Sequence, residues 1–323
     1  LYNGTTYGVE EMKKKIVVSG ASGFIGTALV KHLHKKYSII GIDRRTNTYP
    51  KGVKFYNMDI NNGLPDIDDV YCVIHLAANP GVRDSYENFE QVCIDNIYGT
   101  HSVLDKCISD WKPERILLAS SSSVYGDLGR DGHALKEDDG VAPRSPYAMS
   151  KVANESLVET YQNCGLLDGI NTTCMRFFTV YGPNQRNELA IRAFTDWILR
   201  DEPITLYGKG QQVRDYTHID DIVSGIEALM NIPKNIHYRS AYNIGSGDAR
   251  SINEIIHLIC KYTGKNVTIN YQPRDRYDVD RTLADNNRLQ SDSDFGGVEC
   301  YWKPKIKFEE GLKEQILWQK SLM

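Results

Sequence analysis

The chain of 323 residues has little that would mark a secreted, membrane-bound or nucleic-acid-binding protein. Its seven cysteines, at positions 72, 93, 107, 164, 174, 260 and 300, form no CxxC pair and mostly interrupt apolar runs. They read as reduced, buried thiols rather than a disulfide framework, which is expected of a cytoplasmic protein. No stretch approaches the roughly 18 apolar residues that a membrane span needs. The first eleven residues lack the charged and apolar regions of a signal peptide, so Leu1 to Glu11 reads as a leader ahead of a natural start at Met12. Charge of one sign is lacking as well. With 38 Lys+Arg against 42 Asp+Glu the net charge is -4, so no global field recruits nucleic acid or an anionic membrane. Repeats, low-complexity tracts and long linkers are missing too.

What is present is an alternation. Lys15 to Ser19, Ser38 to Ile42, Val53 to Tyr56, Cys72 to Leu76, Arg115 to Ala119 and Asn171 to Phe177 are short β-branched or apolar runs. Helix-length segments lie between several of them, the pattern of an α/β fold with a doubly wound parallel sheet of the Rossmann type. Ile97, Leu104 and Ile108 stand at helical spacing, and Ser145-Pro146 opens another helix with Pro in its first turn. Both helices are candidates to pack against a second subunit. After Val180 the alternation weakens into a mixed α/β region with glycine punctuation and a late helix over 308–319. The chain exceeds the usual size of a single core, so two interleaved lobes are expected. The first comprises 12–180 with 216–245 and the second 181–215 with 246–323.

The strand at Lys15 runs into Gly20-Ala21-Ser22-Gly23-Phe24-Ile25-Gly26, a GxxGxxG turn opening a helix. The first glycine permits the tight turn, the second lets backbone approach a pyrophosphate, and the third lets helix and strand pack closely. Asp43 ends the second strand 23 residues after Gly20, where a carboxylate can accept hydrogen bonds from the adenosine ribose. It argues for NAD over NADP, because a carboxylate repels a 2′-phosphate. Arg44 and Arg45 qualify this: they are either solvated loop charges or cations for that phosphate.

The spacing between the glycine turn, His75-Leu76-Ala77-Ala78, Ser121-Ser122-Ser123-Val124-Tyr125-Gly126, Tyr147-Ala148-Met149-Ser150-Lys151 and Arg176 to Pro183 resembles the nucleotide-sugar epimerase and dehydratase family of extended short-chain dehydrogenases. The resemblance runs from Lys15 to Asp285. It implies an NAD-binding lobe, a smaller lobe for a UDP-sugar, and a homodimer built on a four-helix interface. It also implies that Asp59 and Ile60 sit by the adenine, Leu76, Ala77 and Ala78 along the cofactor with Asn96 nearby, and Val180 next to the nicotinamide.

Tyr147 and Lys151 are one helical turn apart and face one side. A neighbouring ammonium and a bound nicotinamide cation would favour the phenolate needed for a base. By resemblance Ser121 shares the substrate O4 with Tyr147. The dehydratases of the family carry Asp and Glu after that hydroxyl, and the decarboxylases a Glu; here Ser122 and Ser123 follow. Without an acid there, the expected reaction stops at reversible hydride transfer and rotation of a 4-keto sugar.

For the sugar nucleotide, Arg214 matches a family pyrophosphate position. A second cation falls within Pro273 to Asp278, where Arg274 and Arg276 are alternatives and a salt bridge to Asp275 or Asp278 is a further reading. Thr179 to Arg186 is similar to UDP-glucuronate 4-epimerases, which implies that Thr179 and Arg186 address a C6 carboxylate; Arg83 or Arg192 would supply a second cation. Neutral UDP-hexoses and N-acetylhexosamines are the alternative substrates. Asp220 and Asp221 read as an N-cap and first-turn charge, and no metal site is expected.

Overall fold

The β-branched runs form a parallel sheet, seen in a computed structural model that describes residues 13–233, 239–275, 277–294 and 301–323. The leader 1–11, Met12, Arg276 and Cys300 lie outside the described residues. The strands are β1 (Lys15–Ser19), β2 (Ser38–Asp43), β3 (Lys54–Asn57), β4 (Val70–His75), β5 (Arg115–Ser121) and β6 (Asn171–Phe177). Three more follow, β7 (Thr179–Tyr181), β8 (Ile204–Tyr207) and β9 (Val213–His218), before β10 (Ala241–Ile244) completes the main sheet. Its seven strands run in the order β10-β6-β5-β4-β1-β2-β3, every pair parallel. Strand order reverses on either side of β1, and the crevice beyond the carboxyl ends of β1 and β4 is where such sheets bind ligands.

Both faces of the sheet are covered, as a parallel sheet requires. On one face Ile16, Val18, Ile74 and Tyr242 pack with Leu29, Ile222 and Ile226. On the other Val17, Val73 and Ile116 meet Val103, Leu104 and Trp111. A third core joins Tyr181, Ile191, Phe194, Ile255, Phe308 and Ile316. Two small sheets accompany it: β11 (Ala249–Ser251) and β7 flank β9, and β12 (Ile269–Gln272) pairs with β8. Leu289 and Trp302, late in the chain, nevertheless pack into the first core.

Three local features differ from the sequence reading. The helical stretch after Phe89 is not uniform: it widens into π-helical turns at Cys93–Tyr98 and Cys107–Trp111, either side of the regular helix Gly99–Lys106. The helix Ile219–Asn231 is capped by the His218 side chain, not by Asp220. Asp221 instead accepts the backbone N–H groups of Lys305 and Ile306 at 2.8 and 3.1 Å, pinning the C-terminal segment to this helix. Of the six described cysteines, 72, 107 and 174 are buried, 93 and 260 half-buried, and Cys164 exposed, so burial is less general than the apolar surroundings imply. Among the described residues no helix is long and apolar enough to cross a membrane.

Candidate active site

A cleft of about 990 Å³ opens at the carboxyl ends of β1, β4 and β5. Its floor is the glycine turn. Gly20 has φ of +73°, and a Cβ there would lie 2.6 Å from the Ala77 nitrogen; a Cβ on Gly26 would lie 2.1 Å from the Gly20 carbonyl oxygen. Gly23 precedes the helix Phe24–Leu33 with no side chain capping it, so the first amides of that helix are left for an anion. Phe24, Ile25, Leu76, Ala77 and Ala78 line the same trough.

Asp43 is fixed at the end of β2 by the Ser22 and Arg45 backbone N–H groups, at 3.0 and 2.9 Å. Asp59, which caps a short turn through the Asn61 amide, and Ile60 line the far end. Asn96 does not line the cleft. It is fully buried and holds the lining residue Asn79 through both backbone groups, at 2.6 and 3.1 Å, so it supports the trough from behind. The turn, the open helix N-terminus and the Asp43 carboxylate together fit a dinucleotide with an unphosphorylated ribose.

Across the cleft, Ser121 ends β5 and the helix Pro146–Asn163 brings Tyr147 and Lys151 beside it. Ser145 caps that helix through the Ala148 amide at 3.0 Å, with Pro146 at its first position. Tyr147 and Ser121 are hydrogen-bonded through their side chains. Burial pushes the Tyr147 phenol above its usual range, while the Ser121 bond and the Arg186 charge act the other way. The Lys151 Nζ stands over the phenol ring, 5.8 Å from its centre, and donates to the Ala119 carbonyl at 2.8 Å. Burial pulls the Lys151 ammonium down to about 8, against the influence of Cys174 and Glu155. Glu155, one turn further along, accepts from Ser120 at 2.5 Å and from Arg176 at 2.7 and 3.0 Å, tying β5 and β6 to the helix. Sequence reading passed over Glu155 because an acid one turn after a lysine looks like a surface charge.

Thr179, Val180 and Arg186 line the same cleft with Ser122 and Ser123. The Ser123 hydroxyl is buried with no partner, and its amide donates to the Ser121 oxygen at 3.1 Å. Arg186 is paired with the exposed Glu188 at 2.9 Å. Arg214 lines the cleft with its guanidinium on the Val213 carbonyl, and burial lowers it from the usual guanidinium range. Arg83 also lines it, 3.3 Å from Asp275 and 3.8 Å from Asp278, over the Tyr207 ring. Arg274 is taken up by Asp280 at 2.5 Å and the Asp278 carbonyl and does not line the cleft; Arg276 lies outside the described residues. Arg192 points elsewhere, to Asp196 at 2.9 Å and the Trp318 ring. Tyr277, Asp278, Val279 and Thr282 also line the cleft; of these the sequence singles out only Asp278, as a salt-bridge partner, and the others carry no motif. Among the described residues no group of His, Cys, Asp and Glu could hold a metal ion.

A seven-stranded doubly wound sheet, a glycine-rich dinucleotide turn and a Ser-Tyr-Lys set on one wall define an extended short-chain dehydrogenase fold. The family described as NAD dependent epimerase/dehydratase matches residues 16–245, and the chain belongs to it. A UDP-glucuronate 4-epimerase of Thermodesulfobacterium geofontis is 35% identical over 327 residues, covering 94% of this chain and 96% of the relative. Among solved structures, MoeE5 in complex with UDP-glucuronic acid and NAD has a TM-score of 0.87 at 32% identity, covering 96% of this chain and all of that one. The Bacillus cereus UDP-glucuronic acid 4-epimerase, also bound to UDP-glucuronic acid and NAD, has a TM-score of 0.85 at 32% identity, with the same coverage.

Proposed function

We propose that this protein is an NAD-dependent 4-epimerase of a UDP-sugar, interconverting UDP-glucuronate and UDP-galacturonate. The observation that carries the reading is the lining of the cleft: Ser121, Tyr147 and Lys151 share it with Thr179 and Arg186, and hydroxyls alone, Ser122 and Ser123, follow Ser121. With no carboxylate at those two positions, elimination of water has no acid and base. The kinship with UDP-glucuronate 4-epimerases supports the same substrate.

NAD, when bound, accepts the hydride from C4 and gives it back. The glycine turn, Asp43, Asp59, Ile60, Leu76, Ala77, Ala78 and Val180 would hold it, with Asn96 as their buttress. Tyr147 takes the 4-hydroxyl proton as the C4 hydride leaves, and Ser121 shares that oxygen. Lys151 supplies the second polar contact on the same wall. The 4-keto sugar turns its other face, and Tyr147 returns the proton. Thr179 and Arg186 grip the C6 carboxylate. That grip has a chemical purpose: a 4-keto glucuronate is a β-keto acid, and a fixed carboxylate cannot align its C–C bond with the carbonyl for loss of carbon dioxide. Arg214 meets the pyrophosphate, and Arg83 stands at the same end.

The two lobes of this reading are 12–180 with 216–245 for NAD and 181–215 with 246–323 for the UDP-sugar. A cytoplasmic homodimer completes it. The exposed Phe89, Ile94 and Tyr98 on the helical stretch after Phe89 supply apolar surface for a second copy. Incubation with UDP-glucuronate, without added reductant, tests the reaction by chromatography and mass spectrometry. An isomer of unchanged mass is expected; loss of carbon dioxide or water, or turnover of UDP-glucose alone, would overturn it.

A further inference from the structure

Asp43 should exclude a 2′-phosphate, yet two arginines follow it directly, and a guanidinium beside the ribose is what NADP-binding turns use. The structure disposes of the first of them by a specific device. Arg44 donates to both carboxylate oxygens of Asp95, at 3.3 and 3.2 Å, a two-point contact that fixes the plane of the guanidinium. Asp95 is 5% exposed and belongs to the π-helical turn Cys93–Tyr98. It is itself held by Gln91 at 2.9 Å and Asn61 at 3.4 Å. The helix can come this close because residue 99 is glycine: a Cβ there would lie 3.0 Å from the Ile60 side chain and 3.2 Å from Asn61. The Arg45 guanidinium lies 3.8 Å from Asp43 and is mostly exposed.

We propose that Asp95 is a cofactor-selectivity residue, which holds Arg44 in a two-point ion pair and so withdraws the cation that would otherwise receive a 2′-phosphate. Asp43 repels the phosphate and Asp95 denies it a counter-charge. Asp43, Asp59 and Asp95 line the cleft together with Arg44 and Arg45. Removing Asp95 leaves Arg44 with Asp59 alone, at 3.8 Å. The inference rests on the reading of the protein as NAD-dependent.

The test is an exchange experiment on the full chain. Protein is equilibrated with an equimolar mixture of NAD and NADP, freed of unbound cofactor, and denatured so that the retained dinucleotides can be separated and counted. The parent chain retains NAD almost exclusively. Asp95→Asn, which preserves shape, raises the retained NADP to NAD ratio by about 10-fold, the order expected when one charge-assisted contact becomes available. Arg44→Ala added to Asp95→Asn returns the ratio to the parental value. An unchanged ratio in Asp95→Asn, or a rise that survives Arg44→Ala, overturns the proposal. If Asp95→Asn does not fold, Arg44→Ala alone decides: with Arg44 withdrawn, its removal leaves the ratio within about 3-fold, whereas a 10-fold fall would show that Arg44 already serves the phosphate. A parent chain that retains NADP as readily as NAD would defeat the NAD reading itself, an outcome distinct from all of these.

Discussion

The two ends of the cleft are built in opposite ways. The cofactor end comes from contiguous sequence: seven residues from Gly20 to Gly26 make the turn, and Asp43 reaches back to the Ser22 amide. The end proposed for the sugar gathers Arg83, Ser121 to Ser123, Thr179, Arg186, Arg214, Tyr277, Asp278, Val279 and Thr282 from across the chain. At the first end backbone does the work and side chains are small; at the second, charged side chains do it, several of them held by neighbouring carboxylates. Damage at the first should abolish binding outright, and damage at the second should change which sugar is accepted.

The harshest test of this contrast is Gly26→Val. A Cβ at that position falls 2.1 Å from the Gly20 carbonyl, and nothing in the backbone can yield. The variant is expected to retain no NAD when purified or to fail to fold; normal NAD content would refute the close-packed turn. Next in size is Tyr147→Phe, which removes the proton acceptor. Turnover should fall by about 10²–10⁴-fold while bound NAD persists, the magnitude typical of general base catalysis. Near-normal turnover would remove Tyr147 from the mechanism.

Arg186→Leu probes the sugar end alone. Loss of a charge-assisted contact should raise the KM for UDP-glucuronate by about 10–100-fold, with inhibition by UDP unchanged, because UDP lacks the carboxylate. Equal weakening of both would mean that Arg186 serves the nucleotide instead. The smallest effect concerns pH at the cofactor end. Burial, together with the Lys151 charge, lowers His75 to about 3, and its ring nitrogens bond Ser19 at 2.6 Å and Thr100 at 3.0 Å. The folded state thus favours neutral imidazole, whereas the unfolded chain protonates near the ordinary value of about 6.5. The contribution is complete above that pH and is lost as pH falls toward the folded value. Between pH 7 and 5 His75 should cost about 2 kcal/mol of stability. Denaturation curves of the parent and His75→Gln at both pH values check this: the variant should show the smaller pH dependence.

The same contrast governs what could be read from sequence. Six of the seven strands of the main sheet were legible to within two residues because parallel strands buried on both faces are continuous apolar runs. The glycine turn and Asp43 were legible because their geometry is local. β10 was not, since Ala241–Ile244 is four residues long and takes its place only by pairing with distant β6. At the other end Ser121, Tyr147, Thr179 and Arg214 line the cleft as the motifs suggested, but side-chain direction depended on ion-pair partners, near and far in the chain, that no motif specifies. Arg274 turned to Asp280, Arg192 to Asp196, and Arg83 took the Asp275 and Asp278 carboxylates. The π-helical turn around Asp95 left no mark in the residue spacing, because a single wide turn shifts the helical period too little to read.

In the proposed reaction one hydride leaves C4 and returns to C4. UDP-glucuronate carrying deuterium at C4, incubated with the enzyme in ordinary water, tests it most directly. The account predicts a UDP-galacturonate product that keeps the deuterium at C4, with no net change in the dinucleotide. Loss of the label to solvent would contradict it, because inversion would then proceed by proton exchange at carbon rather than by return of the hydride.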